Sequence, residues 1–157
     1  MAVDSRLEGV GELTAKLNEL GVKLAAKELR GTVKDALELA EHRARARIPQ
    51  GTEPHKTYLG RLVSPGYAIS TLHIETRLNK RTGAAEAMLG VGREAFYAVA
   101  FVELGTAHTP AQPWLRPSFE DAEDDMLKQI SKSLFQRIEK TRKSQQRAAQ
   151  RARLARR

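Results

Sequence analysis

Residues 118–157 contain neither Gly nor Pro, and this stretch constrains the fold of the chain more than any other. It favours one long helix that begins near Pro117 and would extend for about 60 Å, at about 1.5 Å per residue. Acidic residues crowd its start, where the helix dipole favours negative charge. Apolar residues recur every three or four positions and predict one buried stripe, formed by Phe119, Ala122, Met126, Ile130, Leu134 and Ile138.

Two further helices are predicted before this one. Leu13, Leu17 and Leu20 lie at helical spacing, and Gly21 interrupts the pattern. A longer helix follows over roughly 22–47, with apolar residues at intervals of three or four. Pro49 ends it, because the residue before a proline avoids the helical region.

The apolar period changes to two in residues 68–78 and again in 85–91, which predicts a pair of antiparallel strands. The turn between them is NKRTG, residues 79–83. In the first strand the polar residues would share the solvent-facing side. Its buried side would hold Leu72, Ile74 and Leu78, opposite Ala87, Leu89 and Val91.

Three shorter segments are less distinctive. Residues 3–7 suggest an edge strand, and the loop 49–66 suggests one turn of helix near Tyr58–Leu62. Residues 96–104 fit either a strand or a short buried helix, and periodicity does not decide between them. The segregated order of helices and strands predicts an α+β fold, in which a small antiparallel sheet packs with two or three helices and a long C-terminal helix.

The net charge of +8 is concentrated at one end of the chain. Nine of the 27 basic residues and one of the 19 acidic residues lie in 137–157, so the remaining 18 of each cancel. We therefore predict a neutral domain, residues 1–140, and a basic helical extension, residues 141–157. The extension is a solvated helix end, a contact for nucleic-acid phosphates, or a contact for an acidic protein surface. Its basic residues are Arg142, Lys143, Arg147, Arg151, Arg153, Arg156 and Arg157.

Several classes of site find no support in the residues. The chain has no Cys, which excludes disulfides and thiolate metal sites, and it has no apolar run long enough to span a membrane. The four His residues match no metal-ligand spacing. An enzyme that uses Glu103 and His108 is the weakest hypothesis, because no second acid or His supports the pair. No catalytic, cofactor-binding or metal-binding residue is predicted.

The segment 97–121 is better interpreted as a braced loop. Gly105 suits a backbone conformation that is closed to other residues, and Glu103 could accept backbone N–H bonds from the loop that follows. Thr106 can form similar local bonds. Three prolines stiffen the segment. Trp114 is an interface anchor or a cap on the core at the foot of the last helix; the sequence favours neither, and a Trp can fill both roles.

This segment closely resembles the signature of the tail-completion proteins of long-tailed double-stranded DNA phages. These proteins are also called head–tail joining or neck proteins, or lambdoid-type tail components. The matching residues are Tyr97-Ala98, Val102-Glu103-Leu104-Gly105-Thr106 and Ala111-Gln112-Pro113-Trp114-Leu115-Arg116-Pro117. Weaker matches are Leu7 to Leu13, Ile48-Pro49 and Gly60-Arg61-Leu62. The resemblance covers about residues 5–140 and leaves 141–157 unexplained.

The resemblance implies a structural virion protein without catalytic activity or cofactor. Such a subunit forms a ring, typically a hexamer, between the head connector or head-closure protein and the tail terminator or tail tube. DNA passes through the ring, and a non-specific contact with it is possible. The resemblance also implies assembly in the host cytoplasm and a final place in the neck of the virion. The expected docking residues are Tyr97, Glu103, Gly105, Thr106, Pro113, Trp114, Leu115 and Arg116.

Overall fold

The structure is a computed structural model and describes residues 10–20, 22–79 and 84–155. It has six helices and four strands in these ranges, arranged as an α+β fold, as predicted. The helices are α1 (Val10–Leu20), α2 (Val22–Arg47), α3 (Tyr67–Ser70), α4 (Arg93–Leu104), α5 (Leu115–Glu120) and α6 (Glu123–Leu154). The strands are β1 (His55–Lys56), β2 (Leu62–Val63), β3 (His73–Leu78) and β4 (Ala85–Gly90). The strand suggested for residues 3–7 lies outside the described residues, as does most of the 79–83 turn.

Helix α2 is the central element, as its apolar stripe predicts. It packs against α6 along one side and against α5 and the β3–β4 hairpin along another. Leu37 and Ala40 of α2 are buried with Ala122 at the start of α6. Nearer the C-terminal end of α2, Ala44 and Ile48 join a second cluster, formed with residues of α4 and of the segment before α5.

The β3–β4 hairpin confirms the predicted pairing. The strands are antiparallel, with Ile74 opposite Leu89 and Thr76 opposite Ala87. Exposed and half-buried residues alternate along both strands, so one face covers α2 and the other meets solvent. The predicted first strand began too early, because Tyr67–Ser70 forms the short helix α3.

The helical turn suggested near Tyr58–Leu62 is wrong. This segment is a tight turn between the two-residue strands β1 and β2, which pair His55 with Val63. Gly60 has φ of 80°, which a helix does not contain, and its N–H donates to the Thr57 carbonyl at 2.8 Å. Because this glycine reverses the chain, the segment closes as a hairpin.

The predicted final helix is divided in two. Helix α5 ends at Glu120, and the Ala122 N–H donates to the Phe119 carbonyl at 3.0 Å, a tighter turn than that of an α-helix. Helix α6 then continues without a break to Leu154, as the absence of Gly and Pro predicts. At its start, Asp121 and Asp125 pair with Arg47 and Arg43 of α2.

Polar contacts hold the middle of α6 to α2. Arg137 donates to both carboxylate oxygens of Asp35 at 2.8 Å. Burial raises the pKa of Asp35, but its hydrogen bonds to Ser133 and Arg137 outweigh this and lower the pKa overall. Thr141 donates to the buried Glu28 at 2.9 Å. Beyond this contact, residues 142–155 are all exposed.

Candidate assembly surface

Gly105 ends α4 and sets the course of the loop that follows. It has φ of 73° and ψ of 176°, a conformation that is essentially confined to glycine. A Cβ at this position would lie 2.7 Å from the backbone N of Ala111 and 3.0 Å from the carbonyl O of Thr109. The loop therefore returns closely over residue 105, which confirms the predicted need for glycine.

Thr106 and its neighbours close a compact turn. The Thr106 hydroxyl accepts the N–H groups of His108 and Thr109 at 3.2 and 3.1 Å. The Thr106 N–H donates to the Thr109 carbonyl at 2.8 Å. Farther along, the Gln112 N–H donates to the Val102 carbonyl at 2.8 Å, which ties the loop back to α4. The local bonds predicted for Thr106 are confirmed.

Glu103 fixes the other end of the loop. One of its carboxylate oxygens accepts the N–H groups of Trp114 and Leu115 at 2.6 and 2.7 Å. The other oxygen accepts the N–H of Arg116 at 3.0 Å. These donors lie at the start of α5, where backbone N–H groups lack helical partners. Glu103 thus joins the last turn of α4 to the first turn of α5.

The ionised form of Glu103 is favoured by this geometry. Its partial burial raises the pKa, but the three backbone N–H donors and the nearby Arg116 guanidinium outweigh burial and lower the pKa overall. Among the described residues, no hydrogen bond joins Glu103 to His108, whose side chain is exposed. The carboxylate is engaged as a structural acceptor at both oxygens.

We expect Glu103→Gln to lower the free energy of unfolding by about 2 kcal/mol, because its amide group cannot accept all three N–H bonds. Stability from ionised Glu103 is fully present above the ordinary carboxyl pKa of 4.5 and is lost as pH falls through its lowered folded pKa. Urea unfolding across this pH range measures both effects. As a control, Glu38→Gln removes an exposed carboxylate and should change stability much less. Equal losses in the two variants would contradict the prediction.

Trp114 belongs to the core of the chain. Its side chain is 4 % exposed and packs with Ala44, Ile48, Leu72 and Val99. Its indole N–H donates to the Val99 carbonyl at 3.3 Å. The structure supports the core role for Trp114, which also lines an apolar cavity beside α4.

The exposed aromatic residues of this region lie on α4 and the neighbouring β1–β2 turn. Phe96, Tyr97 and Phe101 are each more than half exposed, although they lie on a helix of the folded domain. The Tyr58 and Tyr97 rings meet edge to face with centroids 5.2 Å apart. The centroid of the Tyr97 ring is 5.6 Å from that of Phe96 and 6.4 Å from that of Phe101. We call the following set the apolar face: Tyr58, Leu59, Leu62, Phe96, Tyr97, Phe101 and Leu104.

The apolar face and the adjoining loop are almost free of charge. Between residues 95 and 115 the only ionisable acid or base, apart from His108, is Glu103, which is turned towards backbone N–H groups. Charged residues lie at the border instead, where Glu94 accepts a hydrogen bond from Thr57 at 3.0 Å and lies 3.7 Å from Arg61. An apolar centre with charges only at its rim is typical of protein–protein interfaces.

An apolar cavity of about 260 Å³ opens beside this face. It lies between β4, α4 and the start of α5, and Phe96 and Leu104 form part of its wall. Leu72, Leu89 and Trp114 line its inner side. The cavity is large enough to receive an apolar side chain, so the surface here is indented as well as hydrophobic.

The structure brings only some of the predicted docking residues to the surface. Tyr97 lies on the apolar face, and Pro113 and Arg116 are exposed. Leu115, Glu103 and Gly105 are half buried, and Thr106 is exposed while its hydroxyl accepts N–H bonds within the loop. The basic residues Arg142, Lys143, Arg147, Arg151 and Arg153 are exposed on the end of α6, and Arg156 and Arg157 lie outside the described residues.

Sequence reasoning missed most of the apolar face. The sequence predicts a strand or a short buried helix for the segment that contains Phe96 and Phe101, and in neither case are both side chains exposed. The available signal was the helical wheel of residues 93–104, where apolar residues occupy every side. Such a helix is either fully buried or contacts a partner. Here only Ala95 and Val99 are buried within the chain.

Comparison of the chain with protein-family models, curated proteins and solved structures finds no match. The resemblance to tail-completion proteins therefore remains an interpretation of the loop residues. Across residues 10–20, 22–79 and 84–155, no helix combines the length and apolarity that crossing a bilayer requires. Within the same ranges, no group of three His, Asp or Glu residues is arranged to hold a metal ion.

Proposed function

We propose that this protein is a structural subunit of the phage neck, which assembles into a ring and completes the tail for attachment to the head. Its partners would be further copies of itself, in a hexamer, together with the head connector or head-closure protein and the tail terminator or tail tube. The loop signature from Tyr97 to Pro117 supports the choice of family. The subunit acts through assembly and not through catalysis.

The apolar face is the observation that carries this proposal. Four aromatic rings and three Leu side chains are 49 to 73 % exposed on one region of a small domain. Monomeric proteins rarely leave so many large apolar side chains together in water, because each loses the stabilisation that burial gives. A permanent contact in an assembled particle would cover them. The braced loop beside the face keeps the contact surface rigid before assembly, which lowers the entropy cost of docking.

We expect Tyr97→Ala combined with Phe101→Ala to prevent joining of heads to tails while the subunit stays folded. Both rings are more than half exposed, so little packing within the chain is lost, but the apolar face loses its centre. Electron microscopy of lysates in which the variant replaces the original subunit should reveal filled heads and separate tails, with joined particles reduced at least about tenfold.

The matched control for this variant is Met88→Ala, which shortens a 40 % exposed apolar side chain on the solvent face of β4. It should leave the number of joined particles unchanged. Circular dichroism of both purified variants checks that the helices are retained. A normal yield of joined, infectious particles from the Tyr97→Ala, Phe101→Ala variant would refute the proposed role of the apolar face.

A nucleic-acid-binding module is the alternative function, and the exposure of residues 142–155 favours it. Five basic side chains there project from the end of α6 and could contact phosphates without reading sequence. The extension has no aromatic residue for base stacking. Retention on DNA that falls steeply with salt and is lost on deletion of residues 142–157 would support this alternative.

A further inference from the structure

A second apolar groove lies at the α5–α6 junction, apart from the apolar face. Its floor is formed by half-buried side chains, and two exposed acids stand beside it. The groove has a volume of about 260 Å³. We call it the acid-rimmed groove, and its residues are Phe119, Glu120, Glu123, Met126, Leu127 and Ile130.

The two rim acids differ from the acids next to them. Asp121 and Asp125 form ion pairs with Arg47 and Arg43 of α2. Glu120 and Glu123 have no hydrogen-bond or ion-pair partner in the part of the chain that the structure describes. The groove therefore offers apolar contact area and negative charge that nothing within residues 10–20, 22–79 or 84–155 neutralises.

The opposite end of α6 has the complementary character. We use the name basic extension for residues 142–155, the exposed part of the predicted 141–157 segment that the structure describes. Lys143, Arg147 and Arg151 follow one another at intervals of four and so lie along one side of the helix, where like charges repel. Ala148 and Ala152 lie along an adjacent side and would allow a close approach. An anionic partner would remove the repulsion.

The basic extension cannot reach the groove of its own chain. The groove lies at the end of α5 and the start of α6, the extension is the other end of α6, and α6 is one continuous helix from Glu123 to Leu154. From Glu123 to Arg147 a helix of this kind rises about 36 Å, so the two charged ends are held apart. Their charges can only meet between different copies of the chain.

We propose that the basic extension of one copy docks in the acid-rimmed groove of the next copy. The lengths are compatible, because the α6 part of the groove, residues 123–130, spans about 10 Å and residues 142–155 span about 20 Å as helix. Such a contact joins two different surfaces, so it repeats head to tail and can close into a ring. This contact identifies a second copy of the chain as the partner of the basic extension. Its role in a ring rests on the proposed function.

Two observations favour a second copy over DNA as the partner. The groove has an apolar floor, which a phosphate backbone would leave uncovered, whereas the alanine side of the extension would cover it. The rim acids attract Arg147 and Arg151 of another copy, whereas DNA bound to the extension would leave these acids without a partner. DNA binding by the extension is the competing outcome of the experiment below.

Thiol cross-linking of the whole purified chain tests the proposal, since the native sequence has no Cys. The test variant carries Asp124→Cys and Ala152→Cys, one beside the groove, where both rim acids are kept, and one in the extension. A flexible bismaleimide reagent should join them between copies into a ladder of dimers and larger species. The control carries Glu86→Cys and Ala152→Cys, and places the first thiol on the exposed side of β4. We expect about ten times less cross-linking in the control, because its first thiol lies outside the proposed contact and has no raised local concentration near the extension.

Charge reversal provides the second arm of the experiment. Adding Arg147→Glu and Arg151→Glu to the test variant should reduce the amount of cross-linked species to the control level. Salt at about 1 M should have the same effect on the test variant, because it screens the charges. A ladder equal to the control, or one that survives the reversal, would overturn the proposal. A different outcome would assign the extension to nucleic acid: the original chain is retained on DNA, the charge reversal abolishes this retention, and cross-linking stays at the control level. Because this assay contains no heads or tails, its failure is distinct from a failure of head–tail joining.

Discussion

Trp114→Ala is expected to lower the free energy of unfolding by about 3–5 kcal/mol, the usual cost of removing a large buried aromatic side chain. The indole fills the space between α2, α4 and the β3 end of the hairpin, where Ile48, Leu72 and Val99 surround it. A domain of this size has only about 5–15 kcal/mol of stability, so much of the variant would be unfolded at 37 °C. Urea unfolding followed by far-UV circular dichroism measures the loss.

Trp114→Phe is the control for this prediction. It keeps an aromatic ring in the core but removes the indole N–H bond to the Val99 carbonyl, so the expected loss is about 1–2 kcal/mol. If Trp114→Ala were as stable as the original chain, Trp114 would not be a core residue. That result would return it to the surface role that the sequence left open.

This placement of Trp114 changes how mutations of the loop are to be interpreted. Loss of head–tail joining in a Trp114 variant would follow from unfolding alone and would say nothing about docking. Substitutions at Tyr97 and Phe101 are more informative, because these side chains are exposed and contribute little to packing within the chain.

Gly105→Ala is expected to cost about 3 kcal/mol or more. The backbone conformation at this residue is strained for any residue with a Cβ, at about 1–3 kcal/mol. In addition, the new Cβ would lie 2.7 Å from the backbone N of Ala111, and backbone atoms cannot turn aside as the end of a flexible side chain can. The loop would have to move, which would disturb the N–H bonds that Glu103 accepts.

Gly60→Ala separates the cost of backbone strain from the cost of the close contact with Ala111. Gly60 also has positive φ, of 80°, but nothing lies within 4 Å of a Cβ added to it. This variant should therefore lose only the strain contribution, about 1–2 kcal/mol. Urea unfolding of both variants gives the comparison. A smaller loss for Gly105→Ala than for Gly60→Ala would contradict the close approach of the loop.

The helices and the hairpin could be predicted because their signals are local. The apolar stripe of α2, Pro49 after its end, and the absence of helix breakers in residues 123–154 act through the backbone and nearest neighbours. The β3–β4 hairpin followed from a period of two on either side of a turn. The roles of Gly105, Thr106 and Glu103 were predicted correctly for a similar reason, since each acts within about 13 residues.

The sequence-based predictions were wrong or undecided where the local preference for helix or strand is weak. Residues 58–62 carry no strong helix or strand pattern, and Gly60 decided the outcome by reversing the chain. The segment 96–104 is apolar on all sides, so its period could not identify it as a helix. The tight turn at Ala122 depends on its burial against Leu37 and Ala40, which are distant in sequence.

The sequence by itself determined the long helices and the β3–β4 hairpin of this protein, the braces of its loop and the concentration of positive charge at one end. Only the tertiary structure decided which apolar residues face water. Burial depends on whether another element is near enough to cover a side chain, and that is a property of the packed chain. Trp114 was therefore assigned to the core and Phe96, Tyr97 and Phe101 to the surface. The same packing left the groove at the α5–α6 junction uncovered, about 36 Å of continuous helix away from the basic extension.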